Sequence, residues 1–300
     1  GGPPCQGNSD LNNHSRRTDP RNDLYLCMAR FIKVISPELA LIENVQAVRA
    51  SKSKVVESTV GFLKGLGYHC DEGSLRAMDY GVAQDRRRHF TIASKVGGVR
   101  FATLTDASHK IQRIVEGNGG RPVLWAIADL VDIQHKEDVF NYSATHNKTN
   151  QERIDWLFGE KEWTSEEKEK FNRNTDPNQK PQAYELPAHL RPRCHQEGQP
   201  SYNKYPAVYG RMYPDAPSPT ITCGFGSCGQ GRFIHPKRRR SLTPHEAARV
   251  QSFPDHFSFQ KATKRVQLQK LIGNAVPPML AAHIGIYLLV PLIVNDPQYQ

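Results

Sequence analysis

Four short stretches of this chain carry residue types that do chemistry. The first is "GGPPCQGNS", residues 1–9. Pro3 and Pro4 fix φ at two successive residues, and Gly1, Gly2 and Gly7 let a ligand approach the backbone. A rigid loop that presents the Cys5 thiol suits a nucleophile, because its geometry is set before a substrate arrives. A Pro/Gly surface turn with an incidental cysteine has the same letters. The second stretch is "ENV", residues 43–45. A carboxylate just past an apolar run sits at the C-terminal edge of a sheet, where α/β folds place their sites. Partial burial there would raise the Glu43 pKa and let it donate a proton; an ordinary strand end is the plain alternative. The third is "YGVAQDRRRHF", in which Arg86 and Arg88 alternate at the start of an expected strand and so share a face. Paired arginines on one face suit a phosphate or a base carbonyl, and a solvated basic edge has the same pattern. The fourth is "GNAVPP", residues 273–278, a helix stop followed by a double proline that makes a fixed turn.

The elements that must position these residues are readable from periodicity. A helix is expected from Asn22, with Leu24, Cys27, Met28, Phe31, Ile32 and Ile35 on one face and Pro37 as its end. "LALIENV" reads as a buried parallel strand. A second helix places Val56, Val60, Leu63 and Leu66 on one face and stops at Gly67. Strands follow near 68–76 and 88–94, and this order of helix, strand, helix and strand means α/β. Residues 106–205 mix short helical pieces and polar loops, with "SEEKEKFNR" as a charge-laced helix and "RNTDPNQKPQ" as a loop. Order returns near 206. In "SLTPHEAARVQSF", Thr243 caps, Pro244 takes the first helical position and Glu246 completes a capping box. "RVQLQKLIG" and "MLAAHIGIYLL" are two further helices.

The 300 residues carry 40 Lys/Arg and 30 Asp/Glu, a formal charge of +10. Such an excess indicates an acidic partner, with nucleic acid the leading candidate. It sits at the two ends of the chain: 15 basic against 10 acidic residues in 1–105, 14 against 16 in 106–205, and 11 against 4 in 206–300. The six cysteines form no C-x-x-C pair, so neither a disulfide framework nor a zinc finger is indicated. Cys27 and Cys70 read as core. No metal site is expected: Cys223 and Cys228 bracket "GFGS" without a ligand set, and His135 and His146 lack a carboxylate at suitable spacing. Trp125, Trp156 and Trp163 read as packing residues. "KRRR", Lys237–Arg240, reads as a phosphate-gripping edge rather than a nuclear signal. The apolar tail "IGIYLLVPLIV" is too short to span a membrane.

In their order and spacing the chemical stretches resemble the C5-cytosine DNA methyltransferases. "GGPPCQGNS" is similar to that family's Pro-Cys nucleophile loop and "DPRNDL" to the segment after it. "ENV" resembles the catalytic acid motif, and "QDRRR" fits Gln-x-Arg-x-Arg. "RMYPDAPSPTIT" and "RRRSLTPHEAARVQSFPDHFSF" resemble the stretch after the variable region, and "IGNAVPP" resembles the closing motif. The resemblance covers about 1–95 and 206–290; the region between matches no motif, as expected of a target-recognition region.

The resemblance implies an α/β fold: an incomplete Rossmann-like S-adenosylmethionine-dependent methyltransferase domain plus a smaller irregular target-recognition domain. The expected division is a catalytic core at 1–105, target recognition at 106–267 and a returning C-terminal segment at 268–294. It further implies methyl transfer to C5 of a flipped-out cytosine in duplex DNA. Cys5 would be the nucleophile, Glu43 the base-contacting acid, Arg88 the group on the base carbonyl, and Arg86 a support for the loop or a phosphate. Pro4, Asn274, Ala275 and Val276 are the expected cofactor contacts, and Gln84, Arg211, Lys237, Arg238, Arg239 and Arg240 the expected DNA contacts. The family's glycine-rich F-x-G-x-G loop is not in these residues. The chain is therefore expected to be a truncated or split enzyme that needs a complementary N-terminal segment carrying that loop. The expected setting is the bacterial cytoplasm at the nucleoid, or the nucleus of a eukaryote, with no membrane. A non-catalytic DNA-binding remnant and a tRNA-directed relative are the alternatives; the latter's Cys-Phe-Thr motif is absent from the variable region.

Overall fold

The computed structural model describes residues 1–4, 23–51, 53–96, 100–102, 104, 106, 120–133, 135–159, 186–199, 202 and 207–294, with backbone alone at 291, 292 and 294. Cys5, Trp163 and the segments "SEEKEKFNR" and "RNTDPNQKPQ" lie outside the described residues. Two compact units form. The first holds Gly1–Tyr80, Arg87–Ile114 and Ala281–Gln300, and the second holds Gly81–Arg86 and Val115–Leu280. Gly81–Arg86 thus groups with the later part of the chain and Ala281–Gln300 with the earlier part.

In the first unit, helix α1 (Leu24–Ile35) leads into strand β1 (Leu39–Val45), helix α2 (Val55–Gly65), strand β2 (His69–Arg76) and, after strand β3 (Gln84–Asp85) of the second unit, strand β4 (Arg87–Ser94). All three strands expected from the sequence are present. Their pairing differs from the expected parallel one. The sheet order is β1-β4-β2, and β4 runs antiparallel to both neighbours. Residues 77–86 between β2 and β4 are too few for a parallel crossover, which takes a dozen or more, so the chain reverses. Helix α2 ends as read. Gly67 has φ +87°, its N–H reaches Lys64 O at 3.0 Å, and Tyr68 N–H reaches Leu63 O at 3.1 Å, the paired bonds of a left-handed glycine stop.

Helix α1 sits differently from the periodicity reading. Tyr25, Ala29 and Ile32 are buried, whereas Phe31 is 61% and Ile35 69% exposed. The buried Tyr25 hydroxyl shares a hydrogen bond of 3.0 Å with Thr91 Oγ1 on β4. Satisfying that polar pair fixes the rotation of the helix. Ile32 then packs with Ile42 of β1 and with Val56, Leu63 and Tyr68. Cys27 and Cys70 are half-buried, and Cys70 packs against this core.

The second unit is built around helices α3 (Val123–Ile127), α4 (Lys148–Gly159), α5 (Pro244–Val250) and α6 (Arg265–Asn274), with a two-stranded parallel pairing of β3 and β5 (Ser218–Pro219). Its core joins Val123, Ile127, Met212, Ile221, Phe225 and Phe233 to Leu242, Val250, Leu268 and Ile272. The capping box at Thr243 and Glu246, with Pro244 at the first helical turn, is formed as expected. Trp125 is 57% exposed, with the Arg121 guanidinium 4.0 Å above its ring, rather than packed inside. Helix α7 (Pro278–Val294) follows. The stretch Arg265–Val290 has the length and hydropathy of a membrane span, but Ala275–Pro277 breaks it into two helices.

The rotation of α1 is testable by substitution. Ile32→Ala is expected to cost about 2–5 kcal/mol in urea unfolding, as for a buried aliphatic. Phe31→Ala should change stability by no more than about 0.5 kcal/mol. The reverse ranking would place the helix on its other face.

Candidate active site

In the first unit, the chemistry gathers at the C-terminal end of β1. The Gly1 nitrogen donates to Leu41 O at 2.6 Å and Gly1 O accepts from Glu43 N–H at 2.8 Å, so the opening residues lie along β1 in strand fashion. Asn44 Nδ2 then donates to Pro3 O at 3.2 Å. Pro3 is buried and Pro4 exposed. The proline pair that leads to Cys5 is thereby fastened to the strand that carries Glu43. Asn44 is 2% exposed and was assigned no role from the sequence. Its place inside "ENV", between an acid and an apolar residue, was the available signal.

Glu43 and Arg88 face each other across the sheet. Arg88 is paired in register with Val45, and Glu43 with Phe90, so both side chains leave the same face. Arg88 Nε lies 3.1 Å from Glu43 Oε1, with both side chains about 15% exposed. Arg88 Nη1 also donates to Arg87 O at 2.7 Å. A carboxylate acceptor beside a forked donor at a sheet's C-terminal edge matches the hydrogen-bonding edge of a polar, planar ligand.

Arg86 and Arg88 do not share a face, because Arg86 stands just before β4 and turns into the second unit. It is 2% exposed, with Nη1 donating to Ile221 O at 2.9 Å and Nη2 to Gly273 O at 3.2 Å. Gln84, expected at DNA, has no exposed surface. Its Nε2 donates to Gln251 Oε1 at 2.8 Å, and its Oε1 accepts from Ile221 N–H at 2.8 Å. Gln251 Nε2 in turn donates to Ile272 O at 2.6 Å. The two motif residues thus tie residues 221–223 to the end of α6. Gly273 is needed there: a Cβ would stand 2.5 Å from Cys223 N. Gln251 was another residue that sequence reading missed.

This clamp bears on the cofactor expectation. The carbonyls of Ile272 and Gly273 are held, Asn274 is exposed, and Ala275 and Val276 are half-buried. Cys223 Sγ lies 3.1 Å from Asn274 Oδ1. Asn274–Val276 is therefore a fixed segment with an exposed asparagine, its Oδ1 facing the Cys223 thiol, and half-buried aliphatic neighbours, a mixture of polar and apolar groups that suits one edge of a ligand such as S-adenosylmethionine.

The basic loop is anchored from beneath. Arg240 forms two bonds of 2.7 Å with the wholly buried Glu246. His235 Nε2 lies 3.3 Å from Glu246 Oε1. His235 Nδ1 accepts the N–H groups of Lys237 and Arg238, each at 2.9 Å. Arg211, expected at DNA, is half-buried: it donates to Pro236 O and stacks over Phe158 at 3.9 Å. Lys237, Arg238 and Arg239 are exposed. Arg238 pairs with Asp132, and Arg239 lies 3.6 Å from Asp155.

Burial pushes the Glu246 carboxyl up, but the hydrogen bonds from Arg240 and His235 outweigh it and bring its pKa from 4.5 down to about 2. The folded value lies below the unfolded one. The stabilisation is therefore complete above about pH 4.5 and lost as the pH falls towards 2. Glu246→Gln is expected to cost about 3–5 kcal/mol at pH 7 and to flatten the acid limb of stability. Urea midpoints measured from pH 7 to 3 check both.

The mixed α/β architecture, a small sheet with its helices, is that of an α/β methyltransferase fold. The comparisons name the group. A family profile described as C-5 cytosine-specific DNA methylase matches residues 1–288, and the chain belongs to that family. S-adenosylmethionine is the family's methyl donor. The chain is 42% identical to the Type II methyltransferase M1.BsuMI of Bacillus subtilis (strain 168) over 96% of its own length and 60% of the relative's. It is 30% identical to the Type II methyltransferase M.DdeI of Desulfomicrobium norvegicum, with 94% and 69% covered. Among solved structures, a prophage-encoded DNA modification methyltransferase from E. coli superposes with a TM-score of 0.59 at 22% identity, covering 97% of this chain and 78% of that one. The S. pombe Dnmt2 methyltransferase does so with a TM-score of 0.55 at 20% identity, covering 92% and 74%. These last two show the fold.

Proposed function

We propose that this chain supplies the nucleophile and the base-contacting groups for methylation of cytosine C5 in duplex DNA. The observation that carries the reading is the Glu43–Arg88 pair, with Pro3 held by Asn44 on the same strand. A cytosine placed here offers its amine and N3 edge to the Glu43 carboxyl and its carbonyl to Arg88, which stabilises the charge that develops on the ring. The base must leave the helical stack to reach them. The Cys5 thiolate adds to C6, forming a C–S bond while the C5–C6 π electrons move towards C5. Bound S-adenosylmethionine supplies the electrophilic methyl group. A base then takes the C5 proton, and the returning electrons break the C6–S bond and free Cys5. Within the second unit, Gln84 and Arg86 hold residues 221–223 and 272–274 in place. Lys237, Arg238 and Arg239 supply backbone contacts to DNA.

The chain spans 60% of the Bacillus relative and its 300 residues contain no glycine-rich F-x-G-x-G loop. We assign the main cofactor-binding half of the site to sequence outside them, on the same chain or a complementary one. The type II methyltransferases among the relatives support duplex DNA as the substrate.

Two measurements test this. With a 5-fluorocytosine duplex, S-adenosylmethionine and the N-terminal segment of a relative supplied in trans, the chain is expected to form an adduct that survives denaturing electrophoresis. Cys5→Ser should abolish the adduct, and Glu43→Gln should slow it by about 10²-fold or more. No adduct in the parent chain would favour a non-catalytic DNA-binding remnant. Separately, calorimetric titration of the 300 residues alone with S-adenosylmethionine should show weak or no binding. Micromolar affinity would overturn the assignment of the cofactor half to other sequence.

A further inference from the structure

The sheet carries an arginine pair on the face opposite Glu43 and Arg88. Arg76 at the end of β2 and Arg87 at the start of β4 are direct cross-strand partners. Residues paired in this way put their side chains on one face. Between them the chain leaves a cavity of about 240 Å³, lined also by Gln46, Ser74, Asp79 and Tyr80. Gln46 and Arg87 are exposed, so the cavity opens to solvent. Tyr80 contributes a wall, since its hydroxyl donates to Leu104 O at 2.9 Å.

The charges set the ligand. Two guanidiniums and the Asp79 carboxylate leave one positive charge, and Gln46 and Ser74 add neutral donors. A single-charged, multi-oxygen anion fits that sum, and the arginine fork matches phosphate oxygens. The position sets the source. Gln46 directly follows β1, and Arg87 directly precedes Arg88, so the cavity stands at the sheet end that also bears the Glu43–Arg88 pair. We infer that this cavity is a seat for one phosphodiester of the DNA backbone, with Arg87 and Arg76 as its cations. The inference rests on the DNA-binding reading above. It adds a backbone contact made by the sheet itself.

Fluorescence anisotropy with a labelled duplex, titrated from 50 to 200 mM salt, tests it. Each phosphate contact contributes a slope of about −0.9 to log K against log salt. Arg87→Gln and Arg76→Gln are each expected to reduce the slope by up to about one and to weaken binding equally on duplexes of different sequence. Across that salt range each should lose about threefold less affinity than the parent. Arg87→Lys, which keeps the charge, should keep the slope. Lys64→Gln, a surface charge outside this cavity, should leave slope and affinity unchanged. Circular dichroism melts confirm that the variants fold. An unchanged slope in Arg87→Gln and Arg76→Gln, with the parent binding DNA in a salt-dependent way, overturns the phosphate seat and leaves the DNA reading standing. A parent without salt-dependent binding overturns both. Arg87-dependent uptake of inorganic phosphate, with the DNA slope unchanged, would assign the cavity to a free anion and overturn the backbone source.

Discussion

Buried polar side chains must find partners inside the protein, and in the second unit this requirement falls on Gln84 and Arg86. Neither reaches water to any useful extent, and an unmade hydrogen bond on either would cost about 1–3 kcal/mol or more. Their partners are mostly main-chain groups: Ile221 N–H and O, Gly273 O and, through Gln251, Ile272 O. Main-chain acceptors fix backbone position rather than a rotamer. The two loops that meet at Gly273 are therefore held by their own carbonyls, and the Asn274–Val276 segment inherits that rigidity. A lysine at 86 would keep the charge but could not bridge two carbonyls with a planar fork.

The first unit reaches the same end by a different route. Its reactive groups stand on strands, where register determines which side chains share a face. Glu43 and Arg88 meet because β1 and β4 pair so that both point one way. The extended segment that bears Pro3 and Pro4 is held by Gly1 against β1 and by Asn44. Each of these contacts is short-range in space and long-range in sequence.

That separation explains what the sequence disclosed. The strand at 39–45 was legible because a continuous apolar run ends at a polar tip, and those at 69–76 and 87–94 from their place after the Gly67 helix stop and around the short Gly81-containing connection. The Thr243 cap and the Gly67 stop were legible because their chemistry is local. The rotation of α1 was not, since Leu24, Tyr25, Leu26, Cys27 and Met28 are apolar nearly all round, and a distant hydroxyl, that of Thr91, decides which of them turn inward. The antiparallel setting of β4 depended on where a short connection could reach. Gln84, expected at DNA, and Arg86, expected to support the loop or a phosphate, are instead buried, and only their partners, more than a hundred residues away, show where they point. Among the site residues, Glu43 and Arg88 were legible as a motif, while Asn44 and Gln251 had no pattern to mark them.

The charge excess also looks different once partners are known. Arg238 and Arg239 stand near acids, and Arg240 is spent on Glu246. The arch above them is set by His235. Its Nδ1 receives two main-chain N–H groups, so its single ring proton is confined to Nε2, facing Glu246. Burial pushes the imidazole down, against the pull of that carboxylate. The ring therefore serves as a template: one nitrogen gathers two main-chain N–H groups of the loop while the other faces the carboxylate, so a single side chain sets the curvature on which the exposed Lys237, Arg238 and Arg239 stand.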